Sequence, residues 1–105
     1  MDGVVTDHPD VKINNVFFTP CARTYWHHHS QGQILQVFRG RGYVCGADGR
    51  PRVITEGDTV WIEPGERHWH GAGPESFMTH TAVSFGPTHW SDPVTDQEYG
   101  AKEKR

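Results

Sequence analysis

Eight of the 105 residues are histidine, and six of them fall in three short segments: His27, His28 and His29; His68 and His70; and His80. In an extended strand, residues two apart share a face. His27 and His29 would therefore look one way and His28 the other, and His68 and His70 would also share a face. Neutral imidazole is a ligand for Mn, Fe, Co, Ni and Zn, and its near-neutral pKa makes it a proton carrier as well. Three strands that each aim imidazole at one interior could build a polar pocket for either purpose. A lone strand histidine is more often a hydrogen-bonded surface residue, the reading given to His8, His28 and His89. The triple histidine is internal and too short to be a tag.

The elements that must position these side chains are short. Twelve Gly and seven Pro punctuate runs of β-branched and aromatic residues, a pattern of many short strands and tight turns. The strands are expected at 11–18, 24–29, 33–39, 43–45, 52–55, 59–62, 68–71 and 77–85. Gly40-Arg41-Gly42 is read as a turn between two of them, and Ala47-Asp48-Gly49 as a hairpin turn. From Asp92 a short polar helix could run to Lys102, followed by a fraying end at Glu103, Lys104 and Arg105. Trp61, Trp69, Phe38, Phe77, Met78 and Phe85 are expected to fill the interior. Evenly spaced strands of this kind imply an all-β sandwich or barrel in one domain spanning 1–105.

Composition narrows the function further. The formal net charge is −3 with no basic stripe, which argues against a nucleic-acid partner. The longest apolar runs are far below the ~20 residues that span a bilayer, so no membrane is expected. Met1-Asp2-Gly3 does not begin a secretory signal; a cytoplasmic location and reduced Cys21 and Cys45 are the expectation.

The residues also carry a resemblance. His27-x-His29-x3-Gln33-x6-Gly40 is similar to the first motif of the cupin superfamily, with Gln33 where that family usually has Glu. Gly57-x5-Glu63-Pro64-Gly65-x2-His68 is similar to the second, with Glu63 where Pro is usual. The two motifs occupy about 21–40 and 57–72. A narrower likeness runs through Ala22-Arg23-Thr24-Tyr25-Trp26-His27, Gly32-Gln33, Pro64-Gly65-Glu66-Arg67-His68-Trp69-His70-Gly71-Ala72, Met78-Thr79-His80 and Val94-Thr95-Asp96. These segments resemble small manganese-binding cupins that act as hydroxynitrile lyases, a group overlapping the cupin halves of carboxymuconolactone decarboxylase-like proteins.

The resemblance implies a double-stranded β-helix, or jelly-roll barrel, with a short C-terminal helix or tail. It implies one divalent transition-metal ion, Mn first and Fe, Ni, Co or Zn as alternatives, held by His27, His29, Gln33 and His68. His70 and His80 would line the pocket beside it as acid–base groups. Three imidazoles and an amide leave the full +2 charge uncompensated, where Glu would leave +1; such an ion is a stronger Lewis acid, held less tightly. Two departures stand out: Cys21 replaces the Gly that usually opens the first motif, and Ser84 replaces a Gln four residues after His80, removing one expected substrate contact. The implied function is a metal-dependent lyase that cleaves or forms cyanohydrins. The alternatives are a metal-dependent dioxygenase and a non-catalytic small-molecule-binding cupin. Small barrels of this kind often pair through edge strands, so a homodimer or homotetramer is expected.

Overall fold

The computed structural model describes residues 10–101 in full and the backbone of residues 2–5. His8 and the expected helix end at Lys102, with the three residues after it, lie outside the described residues. The expected all-β barrel is what the chain builds. Its strands are β1 (Asp2–Val5), β2 (Val11–Phe18), β3 (His27–His29), β4 (Gln33–Cys45), β5 (Arg52–Thr55), β6 (Thr59–Ile62), β7 (Trp69–Ala72), β8 (Met78–Phe85) and β9 (Thr88–Trp90). One helical turn, α1 (Asp96–Tyr99), follows; Thr95 caps it by accepting the Glu98 N–H while the Glu98 carboxylate accepts the Thr95 N–H, a capping box.

β4 organises the barrel. Its first half pairs antiparallel with β6 and β8, and its second half with β5 and β7. β2 adds to the far side of β8 and β1 to β2, while β3 and β9 form a separate ribbon. The turn expected at Gly40-Arg41-Gly42 is instead a bend within this one long strand. Gly40 holds φ at +83°, where a Cβ would collide with the Phe77 carbonyl; at Gly42 a Cβ would strike the carbonyl of Gly71. Glycine here lets two strands approach and lets β4 cross from one sheet to the other.

Two apolar clusters fill the interior. The larger joins Phe18, Leu35, Val37, Val44, Ile54, Ile62, Ala72, Met78 and Ala82. The smaller joins Trp26, Cys45, Trp69 and Val94 beneath the C-terminal segment. That segment is clamped by Arg23, whose guanidinium donates to the Val94 carbonyl at 3.0 Å and to Asp96 at 2.7 Å. Of the large side chains expected inside, only Trp69 and Met78 are buried, and Phe85 lies between. Trp61, Phe38 and Phe77 stand about half exposed on the outer face of the sheet. Alternation assigns side chains to two faces, but it does not say which face the fold covers.

Two boundaries also differ. The strand expected over 24–29 shrinks to β3: ahead of it Arg23 makes only an isolated bridge to Gly71, and His27, paired with Trp90 in β3, adds an isolated bridge to His68. β1 and β9 were not expected. Cys21 keeps the left-handed backbone, φ 68°, that glycine would hold there more easily. Both cysteines are free thiols.

Candidate metal centre

Alternation along β3 buries His27 and His29 and leaves His28 half-buried on the other side, stacked on His89 at 4.6 Å between ring centres. His68 ends the loop before β7, His70 lies on β7, Gln33 opens β4 and His80 lies on β8. All six candidate residues are buried. Their register is close: Gln33 faces Ser84 across β4 and β8, His80 lies opposite Val16 of β2, and His27 bridges His68.

The imidazoles are individually oriented. The Nδ1–H of His27 donates to the Tyr25 carbonyl at 2.8 Å, and that of His68 donates to the Glu66 carbonyl at 2.9 Å. A carbonyl can only accept, so Nδ1 carries the proton and Nε2 presents a lone pair inward. His29 has Nδ1 on the Thr88 hydroxyl at 2.9 Å, with its Nε2 buried and unpartnered. Gln33 donates its amide N–H to Ser84 Oγ at 2.9 Å, which turns Oε1 toward His68 Nε2 at 3.0 Å.

That last contact is the informative one. With Nδ1 of His68 already protonated and the Gln33 NH2 on Ser84, two lone pairs meet at 3.0 Å with no hydrogen between them. Such a pair repels unless a cation takes both. Among the described residues, His27, His68 and His70 can each bring a ring nitrogen within 4.8 Å of the other two. His29 stands at the edge of that group, its ring 5.0 Å from His27 and 5.4 Å from His68. The oriented lone pairs, the unpartnered His29 nitrogen and the neutral nitrogen and oxygen donors fit a divalent transition-metal ion.

Burial reinforces the neutral state. Removal from water lowers the pKa of His27, His29, His68 and His80 from 6.5 to about 4, and that of His70 well below the usual value. Ligation requires neutral imidazole, so the donors are ready at physiological pH. His70 and His80 also meet each other: His80 Nε2 lies 3.2 Å from His70 Nδ1. The remaining ring nitrogens, His70 Nε2 and His80 Nδ1, are buried without a partner.

A cavity of about 230 Å³ opens onto the group, with His27, His29, Gln33 and His70 on its floor. Val16, Phe18 and Ala82 form an apolar wall, and Lys12, Asn14 and Thr24 supply polar groups. His80 does not line this cavity; it stands behind His70. Thr24 Oγ also accepts the His70 backbone N–H at 3.3 Å, whereas Tyr25 contributes its carbonyl to His27 and turns its ring outward, 53% exposed. Two contributors escaped the sequence reading. Thr88 orients His29, and Ser84, read as a lost substrate contact, is the anchor of Gln33. The only local signal for Thr88 was the three-residue run Thr88-His89-Trp90, too short to stand out.

Comparison with known proteins completes the description. The family model described as the cupin domain matches residues 16–80. The chain is 44% identical over 89 residues to a Granulicella tundricola protein named (R)-mandelonitrile lyase, covering 81% of this chain and 68% of that one. The crystal structure of a cupin-like protein from Thermotoga maritima superposes with a TM-score of 0.90 at 38% identity, covering 99% of this chain and 84% of that one. A polyketide cyclase from Streptomyces resistomycificus, at 20% identity and a TM-score of 0.69 over 89% of this chain and 68% of its own, shares the fold alone.

Proposed function

Because this chain belongs to the cupin family, we propose that it is a metal-dependent lyase that cleaves or forms cyanohydrins. The observation that carries the reading is the neutral donor set. Gln33 Oε1 and His68 Nε2 turn lone pairs on one point 3.0 Å apart, beside a cavity lined by His70. His27, His29, Gln33 and His68 would hold the ion, which when bound, as Mn or another divalent transition metal, would supply Lewis acidity toward a substrate hydroxyl.

The protein's own groups account for the remainder. His70 takes the hydroxyl proton at Nε2, the nitrogen free of any partner. In the tautomer this role requires, His70 Nδ1–H donates to His80 Nε2, 3.2 Å away, so the charge gained on His70 is shared with a neutral imidazole behind it. As the carbonyl forms, the bond to the nitrile carbon breaks and cyanide leaves with the electron pair. Cyanide then takes the proton from His70 and departs as hydrogen cyanide. Val16, Phe18 and Ala82 exclude water from the reacting atoms and favour an apolar substituent.

The test is mandelonitrile cleavage by protein loaded with manganese, followed by benzaldehyde absorbance. Activity above buffer, with His70→Ala slower by about 10²–10⁴ at unchanged metal content, supports the reading. No benzaldehyde from metal-loaded protein ends it. A second reading follows from the close group of His27, His68 and His70: three imidazoles on a redox-active ion with open positions also suit oxygen chemistry. Oxygen uptake with iron-loaded protein and a diketone or flavonol distinguishes it.

A further inference from the structure

The three imidazoles that can gather on one ion, His27, His68 and His70, each follow a residue that faces the other way. Those residues are Trp26, Arg67 and Trp69, set on the opposite side of the extended backbone by alternation. All three bear on the C-terminal segment, residues 91–101. Trp26 donates its Nε1–H to the Glu98 carboxylate at 3.3 Å. Its backbone N–H donates to the Asp92 carbonyl at 2.9 Å, and its carbonyl accepts the Ser91 N–H at 2.8 Å. The Arg67 guanidinium lies over the Trp26 ring, 4.0 Å from its centre. Trp69 packs on the Tyr99 ring at 5.7 Å, and the Tyr99 hydroxyl donates to the Ala72 carbonyl at the end of β7, 2.6 Å away. Val94 plugs the cluster between the two indoles. None of the described residues lining the cavity belongs to this segment, so it reaches the site only through these neighbours.

We propose that the C-terminal segment is a positioning strap for the metal centre. Closed, it fixes His27, His68 and His70 through Trp26, Arg67 and Trp69; released, it lets the three imidazoles spread and weakens metal binding. The inference rests on the reading of these histidines as a metal centre and not on lyase chemistry. The strap is built to release before the barrel does. It holds one helical turn, which does not persist by itself, and one buried apolar side chain, Val94. Segments with so few buried contacts open at lower free energy than core strands.

Release and metal binding share one thermodynamic cycle, so their coupling is reciprocal. If release weakens the ion by some factor, the bound ion makes release rarer by the same factor. Couplings between sites usually lie between about 5-fold and 150-fold, and support of all three imidazoles sets the expectation at about 10-fold or more.

The experiment measures that factor twice, with zinc as the probe. In the wild-type full chain, amide exchange is followed at Trp26, Tyr99 and Gly100, which donate to the carbonyls of Asp92, Thr95 and Asp96. Saturating zinc should slow them about 10-fold or more, beyond any slowing in β4. Val94→Asp then places a carboxylate in the apolar cluster and holds the strap open. Its affinity for zinc, by competition with a chelator, should fall by the same factor while circular dichroism retains the barrel. The visible bands of the cobalt-loaded variant should also shift, reporting altered ligand geometry. The exchange measurement needs no variant, so it decides even if Val94→Asp does not fold. Zinc that binds wild type but leaves these amides unchanged, or slows them only in step with β4, overturns the strap and leaves the metal centre standing. So does a released Val94→Asp protein that binds zinc within twofold of wild type. A wild-type chain that binds no zinc overturns both.

Discussion

Replacing Ser84 by alanine tests how the amide of Gln33 is aimed. Ser84 Oγ accepts the Gln33 N–H at 2.9 Å, and the two side chains are 7% and 3% exposed, so water cannot easily substitute. An amide rotates between two orientations that differ only in which end faces His68. The hydroxyl favours the one that presents Oε1, and its removal leaves a buried donor unmatched at a cost of about 1–3 kcal/mol. The amide then turns its NH2 toward the unprotonated His68 Nε2, recovering a hydrogen bond and withdrawing the oxygen. An orienting contact of this kind is worth roughly 10–100-fold in metal affinity, or about 1.4–2.7 kcal/mol. Competitive titration of manganese and zinc against a chelator at pH 7.5 reads that loss directly, and Ser84→Thr should restore most of it by returning the hydroxyl. A folded Ser84→Ala protein that binds metal within twofold of wild type would refute the reasoning.

Three further outcomes are expected. Gln33→Glu lowers the residual charge on the ion by one, so metal binding should tighten at least about tenfold while cyanohydrin cleavage slows; the same titration checks the first half. Thr88→Val removes the hydroxyl on His29 Nδ1 at 2.9 Å with little change in volume, and metal affinity should fall about 3–10-fold, measured against the melting temperature to separate ligation from stability. The metal-free protein should be acid-labile. The buried histidines keep pKa values of about 4 when folded and return to about 6.5 when unfolded. The unfolded chain therefore binds more protons between these values, and stability falls as pH drops through that window. A single imidazole contributes about 2 kcal/mol between pH 7 and pH 5, so the melting temperature should drop by more than about 8 °C; a flat profile would contradict neutral burial.

The parts of this molecule legible in its sequence are those set by local periodicity. His27 and His29 alternate with His28, and strand geometry alone fixes their shared face. Spacing likewise announced the loop that carries His68. What escaped was set by partners distant in sequence. Ser84 meets Gln33 across 51 positions, and Thr88 meets His29 across 59; no local pattern records either pairing. Gly40 was misread for a different reason. Glycine marks both turns and places where two backbones nearly touch, and only the position of Phe77 decides between them. Exposure of Trp61 and Phe38 was invisible because alternation is symmetric between covered and uncovered faces.

The bend at Gly40 and Gly42 has a consequence for how the protein comes apart. β4 is a single span shared by both sheets, bonded to β6 and β8 before the bend and to β5 and β7 after it. Neither sheet can loosen without removing a neighbour from the other. The amide protons of β4, β7 and β8 should thus exchange with solvent at one common rate under native conditions, as one foldon. Gln33, His70 and His80 all ride on that unit, so these three lose their places together or not at all.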